Sequence, residues 1–187
     1  MRNLVILISL IFSLQGCFFA GAAAGAAAVA VIYDHRKIEN ILKDQQITKQ
    51  ISDKYMADHA LSENNHIEIT TFNQIVLLTG ETGTVEQRQQ AEEIASSTNG
   101  VTKVYNELTI KGATSSLTRA SDSWITTKIK TEMLANQELK SGTIKVVTEN
   151  GTVYLMGIVN QSQADIAVDI ARKVSGVQKV IKIFKYQ

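Results

Sequence analysis

Few residues of this 187-residue chain are of a type and spacing that could do chemistry. There is one cysteine, Cys17, so neither an internal disulfide nor a multi-cysteine metal site can form. Three histidines, His35, His59 and His66, stand before or within the first half of the chain and read as surface residues. No nucleophile–base arrangement, paired-carboxylate motif or phosphate-binding glycine loop accompanies them. The expectation is therefore a non-enzyme with no catalytic residue, no metal and no cofactor. What remains is a thiol that can carry acyl chains and a single indole, Trp124, suited to an apolar–water boundary. Lys and Arg number 19 against 18 Asp and Glu, a balance that excludes a strongly basic nucleic-acid binder.

The surroundings of Cys17 give it a role. Residues 3–33 carry no charged side chain, and the apolar run Leu4–Leu14 after Arg2 reads as a secretory signal. Leu14-Gln-Gly-Cys17 then resembles a bacterial lipobox, with an apolar residue at −3 and a small one at −1. Gln15 is bulkier than the small residue usual at −2. The resemblance implies that residues 1–16 are a signal peptide and that Cys17 is diacylated, becomes the new N-terminus and is acylated again. Phe18 stands where an aspartate would signal inner-membrane retention, which favours the outer membrane. Several acyl chains together hold a protein stably, at about 0.8 kcal/mol per buried CH₂. Residues 17–45 then form a lipidated, Ala/Gly-rich tether. The alternative is that residues 4–32 make one transmembrane helix.

The rest of the chain is one unit written twice. Ile67, Ile69, Asn73, Val76, Leu78 and Gly80 recur 77 residues later as Ile144, Val146, Asn150, Val153, Leu155 and Gly157. Asn99-Gly-Val-Thr-Lys-Val104 recurs as Ser175-Gly-Val-Gln-Lys-Val180, and Ile47-Thr-Lys-Gln-Ile51 as Ile125-Thr-Thr-Lys-Ile129. The copies span 46–112 and 120–187, joined by a polar linker at 113–119. Each reads helix–strand–strand–helix–strand, an α+β unit with a small three-stranded sheet covered by two helices. Ile125, Ile129 and Met133 form a helical seam, and Asn150-Gly151 signals a hairpin turn, with Asn73-Gln74 as its weaker counterpart. Thr84-x-x-Gln87 and Asn160-x-x-Gln163 look like helix N-caps with a glutamine reaching back. Gly80 and Gly157 read as structural glycines that permit a bend or close packing. Gly100 and Gly176 sit where a left-handed cap is wanted.

This αββαβ unit, with a glycine ending its second strand, resembles the BON domain. Signal peptide, lipobox, tether and two BON copies in that order are similar to the dual BON-domain outer-membrane lipoprotein family (DolP-type), and more distantly to the OsmY-type periplasmic BON proteins. Ser123-Trp-Ile-Thr-Thr-Lys-Ile-Lys130 and Val147–Gly157 carry the resemblance in copy two; copy one matches in pattern more than in words. The resemblance implies a periplasm-facing, non-enzymatic lipoprotein that supports outer-membrane integrity. Its second domain would bind anionic phospholipid, phosphatidylglycerol or cardiolipin, through that domain's first helix.

The residues themselves can be weighed against that implication. At 100° per residue, Trp124 lies about 140° from the centre of the Ile125/Ile129/Met133 seam. Thr127, Lys128, Thr131, Leu134 and Ala135 share the outward face, and Lys130 lies near its boundary. An indole beside snorkelling lysines suits a membrane interface. Copy one has Gln46 and Gln50 in place of Trp124 and Lys128. Copy one carries five Lys+Arg and nine Asp+Glu, copy two nine and six, so the neutral total joins an acidic copy to a basic one. A basic domain is drawn to anionic lipid. Trp124 packed between the copies is the other reading of the indole. A protein-interaction adaptor gripping an envelope protein, or an osmotic-stress chaperone, is the other reading of the whole.

Overall fold

The computed structural model describes residues 38–63, 65–112 and 115–187. Expectations for the signal peptide, for Cys17 and for most of the tether lie outside the described residues. Both copies belong to one compact unit. Copy one comprises α1 (Ile38–Ala57), the short α2 (His59–Ser62), β1 (His66–Phe72), β2 (Ile75–Thr82), α3 (Val85–Ser96), β3 (Lys103–Asn106) and β4 (Thr109–Ile110). Copy two comprises α4 (Ser116–Ala135), β5 (Ile144–Glu149), β6 (Thr152–Val159), α5 (Gln161–Lys173) and β7 (Lys179–Tyr186). The two αββαβ units are as expected, with four differences, the first being the extra short helix α2 in copy one. Sheet one has a fourth strand, because β3 and β4 are two pieces that both run parallel to β2. Helix α1 begins at Ile38, inside the stretch expected to be tether. Helix α4 begins at Ser116, capped by the Ser115 hydroxyl, inside the stretch expected to be linker.

Those early starts matter because each helix needs its first turns to reach the sheet. Helix α1 buries Asp44, Ile47, Ile51 and Tyr55, and α4 buries Asp122, Ile125, Ile129 and Met133. The first member of each seam is an aspartate, and its carboxylate is consumed by the hairpin turn beneath. Asp44 accepts the backbone N–H groups of Asn73 at 2.6 Å and Gln74 at 2.8 Å. Asp122 accepts those of Asn150 at 2.8 Å and Gly151 at 2.9 Å. All four turn residues have positive φ, which points both N–H groups to one side. One turn further along each helix, Thr48 donates to the Thr71 hydroxyl and Thr126 to the Thr148 hydroxyl, each at 2.7 Å. The clamp and its hydroxyl bridge are therefore repeated bond for bond.

The second helices start on caps. Thr84 and Gln87 form the full capping box that was predicted. At α5 only half of it forms: Asn160 accepts from Gln163 N, but the Gln163 side chain turns away to the α4–β5 loop. There its Oε1 accepts Lys140 N and its Nε2 donates to Glu138 O. A loop carbonyl and N–H held by one amide replace the box. Gly80 faces Ile67 across the hairpin and Gly157 faces Ile144. A Cβ at Gly80 would stand 2.0 Å from His66 O, and φ there is +106°, so only glycine fits. At Gly157 the intruding Cβ would lie 2.9 Å from Thr143 O.

Strands β2 and β6 are central in their sheets and buried on both faces. Val76 and Leu78 face α1 and α3; Val153 and Leu155 face α4 and α5. The alternate residues, Leu77 on one side and Tyr154 and Met156 on the other, meet between the sheets with Phe72 and Ile183. The sheets thus pack through the faces their own helices leave bare, giving helix, sheet, sheet and helix layers.

The repeated clamp makes a test. Asp122→Ala should lower the unfolding free energy by about 2–4 kcal/mol, since two buried N–H groups lose a charged acceptor. Asp122→Asn, which keeps one acceptor oxygen, should lose about half as much. Urea midpoints check both.

Candidate lipid-facing surface

The outward face of α4 is built by exclusion. Asp122, Ile125, Ile129 and Met133 occupy the inward seam, so residues between them are turned to solvent. Trp124 is 54% exposed and Leu134 51%, and neither belongs to the buried clusters. Thr127, Lys128, Lys130, Thr131 and Ala135 are exposed with them. Packing of Trp124 between the copies is excluded, since that space is filled by Leu77, Tyr154, Met156, Phe72 and Ile183.

Three features of this face were not read from the sequence. Lys128 is paired one turn on with Glu132 at 2.8 Å, each side chain about half exposed, so its charge is partly countered. The hydroxyls of Thr127 and Thr131 donate back along the helix to Ser123 O and Thr127 O, both at 2.9 Å. Leu117, 80% exposed, lies seven residues before Trp124, two turns back on the same stripe. The repeat register starts copy two at residue 120 and so leaves Leu117 outside it, although a leucine at i−7 from an outward tryptophan is the signal that marks it. The face therefore offers Leu117, Trp124 and Leu134 along one helix, edged by Lys128 and Lys130. In copy one Gln46 and Gln50 stand at the positions of Trp124 and Lys128, while Ile38, Leu42 and Met56, the last the counterpart of Leu134, are exposed along α1.

Beside this face runs a groove of about 540 Å³ between α4 and β5 on one side and β1 on the other. Arg119, Thr126, Thr127, Lys145, Glu68 and Glu149 are among its lining. Burial pushes the Glu149 carboxyl up to about 7, and the carboxylates of Glu81, Asp122 and Glu68 push the same way against a smaller pull from Lys111. Burial, with Glu107 and Glu149, likewise raises the Tyr154 phenol. Among the described residues no cluster of His, Cys, Asp and Glu could hold a metal ion, and no helix is long and apolar enough to cross a membrane.

A hairpin clamped to a helix, a parallel return strand and a glycine opposite the start of the first strand, all present twice, define a tandem BON architecture. The BON domain matches residues 43–112 and 121–187, and the chain belongs to the BON-domain family. Among curated relatives, the outer membrane lipoprotein DolP of Haemophilus influenzae is 37% identical over 186 residues, covering 100% of this chain and 96% of that one. The 21 kDa hemolysin of Actinobacillus pleuropneumoniae is 37% identical over 82% of this chain and 79% of its own. Osmotically-inducible protein Y of Escherichia coli is 32% identical over 77% of this chain and 73% of its own.

An exposed side chain and a seam side chain should differ sharply on removal. Trp124→Ala should change stability by no more than about 0.5 kcal/mol. Ile129→Ala, from a fully buried position, should cost about 2–5 kcal/mol. Thermal unfolding of the two variants side by side measures the contrast.

Proposed function

We propose that this protein is a non-enzymatic, lipid-anchored protein of the bacterial outer membrane that faces the periplasm and binds anionic phospholipid through the outward face of α4, supporting membrane integrity. The observation that carries the reading is Trp124: the one tryptophan stands exposed on the basic copy, flanked by Leu117, Leu134 and lysines, while the core is complete without it. An indole left in water exposes a large apolar area that a membrane interface would cover. Lys130 extends the attraction to headgroup phosphates, at about 1 kcal/mol for a cation near the surface, and Lys128, paired with Glu132, adds less. Phosphatidylglycerol and cardiolipin are the lipids whose charge this face suits.

Acylated Cys17 supplies the second attachment. With the chain already held at the bilayer, α4 needs only modest intrinsic affinity, because the tether raises its effective concentration there. The full-length likeness to an outer membrane lipoprotein supports this placement. Cys17→Ser should abolish acylation and leave the chain with its signal segment uncleaved, read as the mass of the purified protein.

Trp124→Glu should lower binding to phosphatidylglycerol vesicles by at least about tenfold while thermal unfolding stays near wild type. Binding of the wild-type chain should weaken as salt is raised. Unchanged vesicle binding by the glutamate variant would overturn the reading and favour a protein-interaction adaptor.

A further inference from the structure

Copy two owes its positive charge to nine cations, and they are unevenly placed. On the outward face of α4, Lys128 is paired with Glu132, which leaves Lys130. Three of the nine lie instead in β7, at Lys179, Lys182 and Lys185. Arg172 stands in the last turn of α5, the helix that leads into β7. All four are exposed, and among the described residues none of them makes an ion pair.

Strand β7 is a sheet edge. It pairs with β6 over all eight of its residues, and among the described residues no strand pairs with its other side. On that side, backbone N–H and C=O groups are left to point away from the sheet. Ile181 and Ile183 turn to the sheet-to-sheet contact, so Lys179 and Lys185 share that side. Val180 and Phe184 turn to the helices, so Lys182 shares theirs. Tyr186, half exposed, meets Phe184 edge-on at 6.3 Å between ring centres. The open backbone row is therefore flanked by cations on both sides. Copy one lacks this arrangement. Its return strand is broken into β3 and β4, and Asn106 and Thr109 stand where copy two has Lys182 and Lys185.

We propose that the free edge of β7 is a docking site for an extended acidic segment of a partner protein, bound as a fourth strand of the sheet of copy two. Main-chain hydrogen bonds hold such a segment, and the lysines on both sides select carboxylates. Lysine on an edge strand also prevents unwanted pairing. Here it bars a second β7, lysine against lysine, and leaves an acidic strand as the one that gains. A bilayer suits this edge less well. Headgroup phosphates can meet the lysines, but they cannot pair a row of N–H and C=O groups in strand register. The edge is also apart from the lipid-facing surface. The sheet runs β5-β6-β7 and α4 lies over β5, so β7 is the opposite edge. Occupancy of β7 is thus independent of whether α4 meets lipid.

The probe is a capped, fluorescent octapeptide that alternates glutamate and valine, titrated into the full-length chain in detergent and followed by anisotropy. It should bind, and more weakly as salt is raised; a lysine–valine peptide of the same length should not. Lys182→Glu combined with Lys185→Glu should weaken binding at least about tenfold, whereas Lys43→Glu combined with Lys49→Glu, the same charge change on α1, should stay within about twofold. Thermal unfolding of both double variants near the wild-type temperature separates lost binding from lost fold. Methylating two adjacent central backbone nitrogens of the peptide leaves its charge intact and should also cost at least about tenfold. A methylated peptide that binds as well as its parent would reduce the contact to charge attraction and overturn the added strand. Equal losses in the two double variants would overturn the site. No binding by the acidic peptide would overturn the proposal outright. If the Lys182/Lys185 variant then also lost phosphatidylglycerol vesicles, the edge would belong to the bilayer instead.

Discussion

Everything distinctive about this molecule hangs on a carboxylate placed under a hairpin turn. Asp44 and Asp122 each take two backbone N–H groups that a tight turn with positive φ leaves pointing the same way. Buried N–H groups without partners are costly, and a buried carboxylate without partners is costlier; each satisfies the other. The bond pair fixes the helix against the hairpin at one point and in one rotation. The remaining seam residues, Ile47 and Ile51 or Ile125 and Ile129, then have no choice of face. Fixing the rotation of α4 is also what turns Trp124, Leu117 and Leu134 outward. The outward surface of α4 is set from the opposite side of its own helix.

Much of this was legible in the sequence, for reasons that can be named. The repeat was legible because apolar spacing and turn residues recur together, and two copies corroborate each other. The seam of α4 was legible because three apolar residues at i, i+4 and i+8 have no other common use. The aspartates escaped notice because an isolated aspartate at the start of a helix usually caps or faces water, and the partners here lie 28 to 30 residues away. Gln163 was misread because local spacing suggested a capping box, whereas a loop arriving from α4 competed for the same amide. The fourth strand of sheet one comes from a break at Glu107–Leu108, where Leu108 turns inward and Asn106 holds Leu108 N. No pattern of residue types marks that break.

The sheet-to-sheet contact lies between these cases. The runs Ile75–Leu78 and Val153–Met156 are apolar without alternation, which is how a strand buried on both faces is written. One face is explained by the helices of each copy, and the other requires a second apolar surface. A charge count by copy pointed to an acidic and a basic half, but the contact is not a broad meeting of opposite charges. It is apolar at its centre, with Glu81, Glu149 and Asn150 at its edge. The opposite net charges lie on the rest of each copy's surface rather than across this contact.

The back-to-back sheets also bear on why the unit occurs twice in one chain. A single αββαβ copy completes its helix-side core alone, yet leaves Leu77, or Tyr154, Met156 and Ile183, as a bare apolar plane. In solution such a plane would have to find a mate, and the pairing would rise and fall with concentration. Joined head to tail, each copy carries its mate on the same chain. The match therefore holds even for one molecule alone at a membrane, with no threshold of abundance to reach.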